Sequence, residues 1–384
     1  MMKVSKLKDC CTIIAGQSPE SKYYNSNGDG LPFFQGKADF GELYPSIRVY
    51  CSQPTKIAEK DDILLSVRAP VGPTNLAPCK VCIGRGLTAI RPSEVLLTRY
   101  VLLFFRYFEA QLASKGTGTT FKAITQDVVK NLEIPIPPLP EQERIITRID
   151  ELFSQLDAGV ETLKKTKAQL AVYRQAVLKE AFEDCLDSVT MGSVATMIDP
   201  QPSHRTPPEF ENGIPYIGIG DIDYTGKTIR FKDARKVNPA VYEEHLQRYT
   251  LREGDFLMGK IGTIGKPFRL PLPQNYTLSA NVILIQPDAE KINPEYLFWQ
   301  FSSPLITEQL MEGKNETSQP AFGIQKARLL QIKMCSAEAQ DRIVCDIREK
   351  ISVCENIEQT VTLALQQAEA MRQCILKDAF EGKM

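Results

Sequence analysis

The chain has 384 residues, of which 43% are hydrophobic, and its 46 basic and 47 acidic side chains give a net charge of −1. This length exceeds what one ordinary hydrophobic core supports, so we expect two or more globular units. The N-terminal residues lack the apolar stretch of a signal peptide, and no run approaches the roughly 18 apolar residues of a membrane helix. The ten scattered cysteines indicate reduced thiols in a cytoplasmic protein, not a disulfide scaffold.

In chain order, the sequence predicts a globular unit, a long helix, a second globular unit and a second long helix. The first unit has the short apolar stretches and Gly/Pro turns of a mixed α/β domain, with a helix over 99–112. The proline-rich segment 134–140 marks its end, and a helix is expected to begin at Glu141 or a nearby residue. The second unit has a β-branched strand at 282–285 and a helix over 295–311.

Internal repetition is the strongest feature of the sequence. Residues 142–183 align without a gap with residues 340–381: both begin Gln-(Glu/Asp)-Arg-Ile and both end Leu-Lys-(Glu/Asp)-Ala-Phe-Glu. The preceding segments match more loosely, as in Asp-Ile-Leu-Leu at 62–65 and Asp-Phe-Leu-Met at 255–258. The repeat therefore predicts two copies of one unit followed by one helix.

Both repeated segments have the pattern of long helices with an apolar seam. Apolar or small residues recur every seven positions from Ile149 to Val177 and from Ile347 to Ile375. Such a seam requires a partner helix, and two helices of equal length in one chain most simply pair with each other, antiparallel. Each would be about 64 Å long at a rise of 1.5 Å per residue. The alternative, a helix pair inside one domain core, is disfavoured because globular helices average roughly 11–12 residues.

A net charge near zero is not typical of a nucleic-acid-binding protein, but the acidic residues are unevenly placed. None occurs within residues 63–93 or in the matching window 256–287, and two further acid-free windows cover 110–126 and 317–337. Clustered positive charge is typical of phosphate contact. The alternative is that these windows are buried strands, which are also poor in charge.

Two small polar loops are suited to approach DNA. The loop 115–120 can reach a phosphate or a base edge, and the loop 314–319 can offer Asn or Gln to adenine. The predicted DNA-binding residues are Lys37, Arg68, Lys115, Thr117, Thr119, Lys122, Lys260, Thr263, Lys266, Arg269, Lys314, Asn315 and Gln319.

Catalytic motifs are incomplete throughout. Asn-Pro-Glu-Tyr at 293–296 resembles the adenine-methyltransferase tetrapeptide, but Glu replaces the second Pro and no Gly-rich cofactor loop is present, so a helix start is expected there. The segment 259–267 misses the phosphate-loop spacing by one residue and lacks the Ser/Thr after Lys. Cys79 and Cys82 lack a second ligand pair for zinc. We therefore expect no catalytic residues, no metal and no cofactor.

These features resemble the specificity subunit of type I restriction–modification systems. The stretch Ile-Pro-Ile-Pro-Pro-Leu-Pro-Glu-Gln-Glu-Arg-Ile at 134–145 is very similar to that family's entry into its first repeated helix. Segments 62–65 and 121–124 look like parts of its target-recognition domains. The resemblance covers essentially the whole chain, although the second helix entry, 335–342, departs from the proline-rich pattern.

The resemblance implies an α+β fold in which two mixed α/β target-recognition domains alternate with two long helices that pair as an antiparallel coiled coil. The expected boundaries are 1–140 and 186–338 for the two domains and 141–185 and 339–384 for the two helices. Each domain would recognise one half of an asymmetric bipartite DNA site. The implied partners are double-stranded DNA, two adenine-methyltransferase subunits and a translocating restriction subunit.

Two other classes of function remain open at this stage. A catalytic methyltransferase or nuclease would need a cofactor or metal motif, and the sequence has none of these. A coiled-coil scaffold or adaptor without sequence-specific DNA contact would have the same long helices. Binding of the chain to DNA distinguishes this second alternative.

Overall fold

The computed structural model describes residues 4–116, 123–203, 205–261, 263–313 and 321–384. The chain divides into two compact units, which we call unit 1 (residues 1–163 and 362–384) and unit 2 (residues 164–361). Within the described ranges, no helix is long and apolar enough to cross a membrane.

The strands of unit 1 are short, and the first long helix begins in this unit. The strands are β1 (Val4–Lys6), β2 (Cys11–Ala15), β3 (Tyr24–Asn25), β4 (Leu31–Phe34), β5 (Tyr50–Cys51), β6 (Ile57–Ala58), β7 (Ile63–Ser66), β8 (Thr74–Leu76), β9 (Val81–Ile83), β10 (Leu87–Pro92) and β11 (Glu133–Pro135). The helices are α1 (Leu7–Cys10), α2 (Thr98–Ser114), α3 (Gln126–Lys130) and the long α4 (Leu139–Glu180). Short 3-10 turns cover Ser21–Tyr23 and Lys37–Asp39.

Unit 2 has a closely similar series of elements. Its strands are β12 (Asp187–Thr190), β13 (Ala195–Ile198), β14 (Ile214–Ile217), β15 (Ile222–Asp223), β16 (Thr228–Ile229), β17 (Lys236–Val237), β18 (Phe256–Gly259), β19 (Pro267–Arg269), β20 (Thr277–Leu278), β21 (Val282–Pro287) and β22 (Gln331–Met334). Its helices are α5 (Met191–Val194), α6 (Pro239–Leu246), α7 (Pro294–Phe301), α8 (Pro304–Gly313) and α9 (Ile324–Arg328), and the long α10 (Ala337–Phe380) begins in this unit. A 3-10 turn covers Ile219–Asp221.

The two units share one sheet topology. The main antiparallel sheet has the order β2-β10-β7-β8 in unit 1 and β13-β21-β18-β19 in unit 2. In each unit the first strand pairs with the last, β1 with β11 and β12 with β22. A parallel pair also recurs, β4 with β9 and β14 with β20. The mixed α/β character predicted for each copy is confirmed, and the loose repeat in the sequence corresponds to a repeat of strand order.

A buried aspartate precedes a central strand of the main sheet in both units. Its side-chain partner differs between the two units. Asp62 accepts two hydrogen bonds from the Arg91 guanidinium, at 2.8 and 2.7 Å. In unit 2, Gln286 stands where unit 1 has Arg91, and its side-chain amide donates a hydrogen bond to the Asp255 carboxylate. Burial raises the pKa of Asp255, while the hydrogen bonds from Gln286 and the Arg252 N–H act in the opposite direction.

The two phenylalanines that end the sequence repeat anchor the long helices to the domain cores. In unit 1, the ring of Phe380 lies 5.1 Å from that of Tyr100 and 5.6 Å from that of Phe104, centroid to centroid. In unit 2, Phe182 makes an edge-to-face contact with Tyr296 at 5.3 Å. Aromatic pairs at these separations stabilise the fold by about 0.5–1.5 kcal/mol more than their buried area alone would. The repeated Phe therefore joins the C-terminal end of each long helix to a hydrophobic core.

The helix boundaries differ from the sequence expectation at one place. The helix predicted over 295–311 is two helices, α7 and α8, separated after Phe301. Pro304 begins α8, where its missing N–H is no loss and its fixed φ favours the first turn. By contrast, the helix predicted over 99–112 is the continuous α2.

Within each unit, a segment of one long helix contacts a segment of the other. In unit 1, Arg372 forms an ion pair with Asp157, and its guanidinium lies 5.0 Å from the centroid of the Phe153 ring. In unit 2, Arg174 and Glu358 are paired at 2.8 Å. Arg174 and Arg372 occupy the same position of the sequence repeat, so the two segments use the same residue to contact the neighbouring helix.

Candidate nucleic-acid interface

Seven of the predicted DNA-binding residues lie in the described part of the chain: Lys37, Arg68, Lys115, Lys260, Thr263, Lys266 and Arg269. The other six lie outside the described residues: Thr117, Thr119, Lys122, Lys314, Asn315 and Gln319.

In unit 1, the positions of Arg68 and Lys115 are related through the predicted loop 115–120. Arg68 follows β7, and its backbone forms a bridge with Ala123, shortly after that loop. Lys115, the first residue of that predicted loop, directly follows α2, and its ammonium lies 5.6 Å from the centroid of the Phe108 ring. Both side chains are exposed, and neither forms an ion pair in the described part of the chain. They are available to phosphates.

Lys37 begins the 3-10 turn after β4 and is also exposed. Its charge acts on Glu109 of α2, whose pKa is raised by burial and lowered by Lys37 and Arg106. Glu109 in turn packs on Gly72, since a Cβ built on Gly72 would lie 2.8 Å from its Cγ. Glu109 thus lies near both Lys37 and Gly72, and Gly72 is part of the loop that follows Arg68.

In unit 2, Lys260 is occupied by an intramolecular ion pair. Its ammonium bonds the carboxylate of Asp199 at 2.7 Å, and the two side chains are only 14% and 17% exposed. Its backbone joins the end of β18 to the neighbouring segments, donating to the Asn281 carbonyl at 2.8 Å and accepting from the Phe322 N–H at 2.9 Å. The expected role as an open phosphate contact does not fit this arrangement.

Arg269 is likewise engaged within unit 2. Its guanidinium forms a two-pronged pair with Glu295, at 3.1 and 2.6 Å, and lies 3.6 Å from the centroid of the Phe298 ring. Stacking and bidentate pairing are the two interactions to which a guanidinium is best suited, and Arg269 makes both of them inside the unit. DNA contact at Arg269 would therefore have to replace both of these interactions.

Lys266 and Thr263 lie between β18 and β19 and are both exposed. The Lys266 ammonium lies 4.2 Å from the centroid of the Tyr224 ring, and the Tyr224 hydroxyl donates to the Lys266 carbonyl at 3.1 Å. Lys266 remains a cation on the surface, because a ring does not neutralise its charge.

Sequence reasoning missed a pocket of about 610 Å³ in unit 2. Polar residues from several elements line it: Thr206, Tyr216, Asp221, Arg235, Lys260, Ser279 and Asn281. Of these, only Lys260 was a predicted site residue. Ser279 and Asn281 fall in an acid-free window, where two polar residues directly before a β-branched strand were the available signal.

The methyltransferase-like tetrapeptide at 293–296 has a structural role. The side chain of Asn293 caps α7 by accepting from the Glu295 N–H at 2.9 Å, as the expected helix start requires. Buried His245 lies between the Thr277 hydroxyl and the Gln201 side chain, and burial lowers its pKa. Among the described residues, no group of three or more His, Cys, Asp or Glu side chains could hold a metal ion.

Comparison with known proteins finds one family model that matches the N-terminal part of the chain. Residues 1–171 match the family model described as the type I restriction modification DNA specificity domain. These residues, 171 of the 384, are thus similar to type I restriction DNA specificity domains.

Several specificity subunits are similar to parts of this chain. A putative type I restriction enzyme MjaX specificity subunit from Methanocaldococcus jannaschii is 40% identical over 167 residues, which are 43% of this chain and 38% of the relative. The EcoKI specificity subunit of Escherichia coli is 25% identical over 334 residues, 80% of this chain and 70% of that one. A crystal structure of the HsdS subunit from Thermoanaerobacter tengcongensis is 47% identical over 41% of this chain and 38% of that chain, with a TM-score of 0.38.

Proposed function

We propose that this chain is the DNA sequence-recognition subunit of a type I restriction–modification complex, and that it recognises an asymmetric bipartite DNA site. One observation carries the proposal. The two units repeat the same main-sheet order, while the side chains at corresponding positions differ, as Arg91 and Gln286 do. A common scaffold with different side chains is what two unequal half-sites require.

The charge distribution supports DNA contact by unit 1. Arg68, whose backbone bridges to Ala123, and Lys115, directly after α2, are both exposed. Exposed cations that are free of carboxylates contribute to affinity through phosphate neutralisation and counterion release. The near-zero net charge is no obstacle, because partner subunits would supply further basic surface around the duplex.

The long helices are proposed to pair as an antiparallel coiled coil that fixes the distance between half-sites. The domains would be 1–140 and 186–338, and the helices 141–185 and 339–384. The ion pairs of Arg372 with Asp157 and of Arg174 with Glu358 support this pairing. Rigid spacing of two DNA-binding elements converts directly into a fixed half-site separation.

The partners proposed are two adenine-methyltransferase subunits and one or more restriction subunits, which this chain would direct to the site. Exposed apolar side chains on the long helices support a protein partner there: Val172, Tyr173, Val353, Leu363 and Met371. Apolar groups grouped on solvent-facing helices commonly mark interaction surfaces. The complex would act in the cytoplasm, where chromosomal DNA is accessible.

Methylome sequencing tests the proposal. A strain with the chain and its methyltransferase should carry methylated adenines at one two-part motif, and deletion of the chain should abolish methylation at this motif. Methylation that persists after deletion would exclude the proposed function. A gel shift of the purified chain, with and without methyltransferase, separates the proposal from a scaffold without DNA contact, which would shift no duplex in either condition.

A further inference from the structure

The pocket of unit 2 contains a buried polar group that lacks a partner. Tyr216, at the end of β14, is only 5% exposed, and its hydroxyl makes no hydrogen bond to any described residue. Burial raises the pKa of this hydroxyl, and the Ala280 N–H, which is near it but does not meet hydrogen-bond geometry, opposes the rise. Since buried hydroxyls are almost always hydrogen-bonded, a polar group that enters the pocket is expected to complete this site.

Asn281 offers hydrogen-bond donors to the same pocket. Its Oδ1 accepts from the Ile219 N–H at 3.2 Å and from the Ser279 hydroxyl. Because a backbone N–H can only donate, it fixes which end of the amide is oxygen. The Nδ2 group makes no hydrogen bond within the described ranges, so it leaves two N–H donors for a ligand.

The backbone leaves space for this amide. Gly218 follows β14, and a Cβ built there would lie 2.9 Å from the Ser279 hydroxyl and 3.0 Å from the Asn281 Oδ1. Any other residue at this position would displace the amide. The close approach of the backbone at Gly218 and the orientation of Asn281 are thus parts of one arrangement.

The charges around the pocket are balanced. Lys260 is paired with Asp199, and Asp221 lies in the wall together with Arg235. A phosphate would meet the Asp221 carboxylate, whereas a neutral group with acceptor atoms would not be repelled. In the major groove, guanine presents two neighbouring acceptors, O6 and N7. The pairing of Asn with adenine needs an amide oxygen that can accept, and Oδ1 of Asn281 is already occupied.

We propose that the pocket formed by Tyr216, Ser279 and Asn281 is the base-recognition subsite of unit 2 and takes the acceptor edge of a guanine in duplex DNA. This inference rests on the proposed function as a DNA-recognition subunit. Asn281 is then the specificity-determining residue, and Gly218 and Ser279 are positioning residues.

At the corresponding place, unit 1 has the same backbone arrangement, but its amide side chain belongs to the other of the two facing segments. One backbone hydrogen bond in each unit defines the equivalence. In unit 1 the Gly84 N–H donates to the Phe34 carbonyl, and in unit 2 the Ser279 N–H donates to the Ile217 carbonyl. Two residues later, Gly86 therefore stands where unit 2 has Asn281.

On the facing strand, Gln35 stands where unit 2 has Gly218. A Cβ built on Gly86 would lie 2.2 Å from the Gln35 carbonyl oxygen. Each unit thus pairs one glycine with one amide side chain, on exchanged strands. Different base preferences at this point of the two half-sites follow from that exchange.

The test selects bound sequences from a pool of fully randomised DNA duplexes, using the full-length chain together with its methyltransferase partner. The variants are Asn281→Asp and Asn281→Ala, with Gln35→Ala for unit 1. Asn238→Asp is the matched control, because Asn238 caps α6 and does not line the pocket. Thermal unfolding of each variant verifies that it is folded.

For the wild type we expect two enriched half-sites, one of which contains a guanine that depends on Asn281. Asn281→Ala should reduce the preference for that guanine on the order of 10-fold or more. Asn281→Asp, which keeps Oδ1 but replaces the donors by an acceptor, should shift the preference to a base with an amino group. Gln35→Ala should alter only the other half-site, and Asn238→Asp neither.

An unchanged guanine preference in folded Asn281→Asp would overturn the inference. Equal weakening on all sequences would also overturn it, because that is the behaviour of a phosphate contact. Absence of any enriched sequence with the wild type would instead refute the proposed function itself.

Discussion

The buried side chain of Gln142 accepts a hydrogen bond from the backbone N–H of Leu97 at 2.9 Å and so joins the first turn of α4 to the start of α2. Its amide also donates to the carbonyls of Val95 and Pro137, at 2.8 and 2.9 Å. Gln340 makes the same connection in unit 2, where it accepts from the Asn293 N–H at 2.9 Å. The repeated Gln-(Glu/Asp)-Arg-Ile therefore fixes each helix entry against a domain.

Replacing Gln142 with leucine is expected to destabilise unit 1 by about 2–3 kcal/mol. The change removes the partner of one backbone N–H and two carbonyls, of which the Pro137 carbonyl is buried, and unsatisfied buried groups are costly. Thermal unfolding measures the effect. Gln169→Leu, at an exposed position of the same helix, is the control and should change the unfolding temperature little. Equal unfolding temperatures for the two variants would contradict the anchoring role of Gln142.

The two buried aspartates should respond oppositely to the same substitution. Asp62→Asn removes the charge that pairs with Arg91 and is expected to cost about 1–3 kcal/mol of stability. Asp255→Asn removes a buried charge that faces an amide, so it should be neutral or stabilising at pH 7. Chemical denaturation of both variants at pH 7 measures this. A loss of stability in Asp255→Asn as large as in Asp62→Asn would show that the two sites are equivalent.

The raised pKa of Asp255 also predicts a pH dependence. Because its folded pKa lies above its unfolded value, its contribution to stability is complete below the ordinary aspartate pKa and is lost as pH rises through the folded value. The unfolding temperature of unit 2 should therefore fall over this range more steeply in the wild type than in Asp255→Asn. Identical profiles for the two proteins would mean that Asp255 does not titrate differently on unfolding.

Arg68 and Lys115 are expected to contribute to affinity without contributing to specificity. Replacing either with alanine should weaken binding to all duplexes similarly and reduce the salt dependence by about one phosphate contact. Arg269→Ala should instead lower the unfolding temperature, because it breaks the pair with Glu295 and the contact with Phe298. Gel shifts over a salt series give the slopes. A change of base preference in Lys115→Ala with an unaltered slope would contradict the phosphate role.

The repeat and the helices could be predicted from sequence because they depend on local spacing. The gapless match of residues 142–183 with 340–381 and the heptad spacing predicted two long helices, and the structure has them as α4 and α10. The break between α7 and α8 was missed, since the apolar pattern continues across it while Pro304 restarts the helix.

The individual site residues were harder to predict, because their environment is made by distant parts of the chain. Lys260 is paired with Asp199 and Arg269 with Glu295. The two carboxylates lie before and after the acid-free window 256–287 that suggested DNA contact. An acid-free window describes only the local sequence, so it cannot reveal a carboxylate brought in by the fold. The pocket at Tyr216 and Asn281 depends in the same way on the pairing of β14 with β20.

The most direct test of the account is a change in helix length. Four residues inserted near Gly159, with four near Ile357, should lengthen each helix by about 6 Å and rotate the part of the helix beyond the insertion by about 40° more than a whole turn. This corresponds to roughly two base pairs of duplex at about 3.4 Å each. Methylome sequencing should then find both half-sites unchanged, with the original spacing lost and a longer spacer gained. Undiminished methylation at the original spacer would contradict the account.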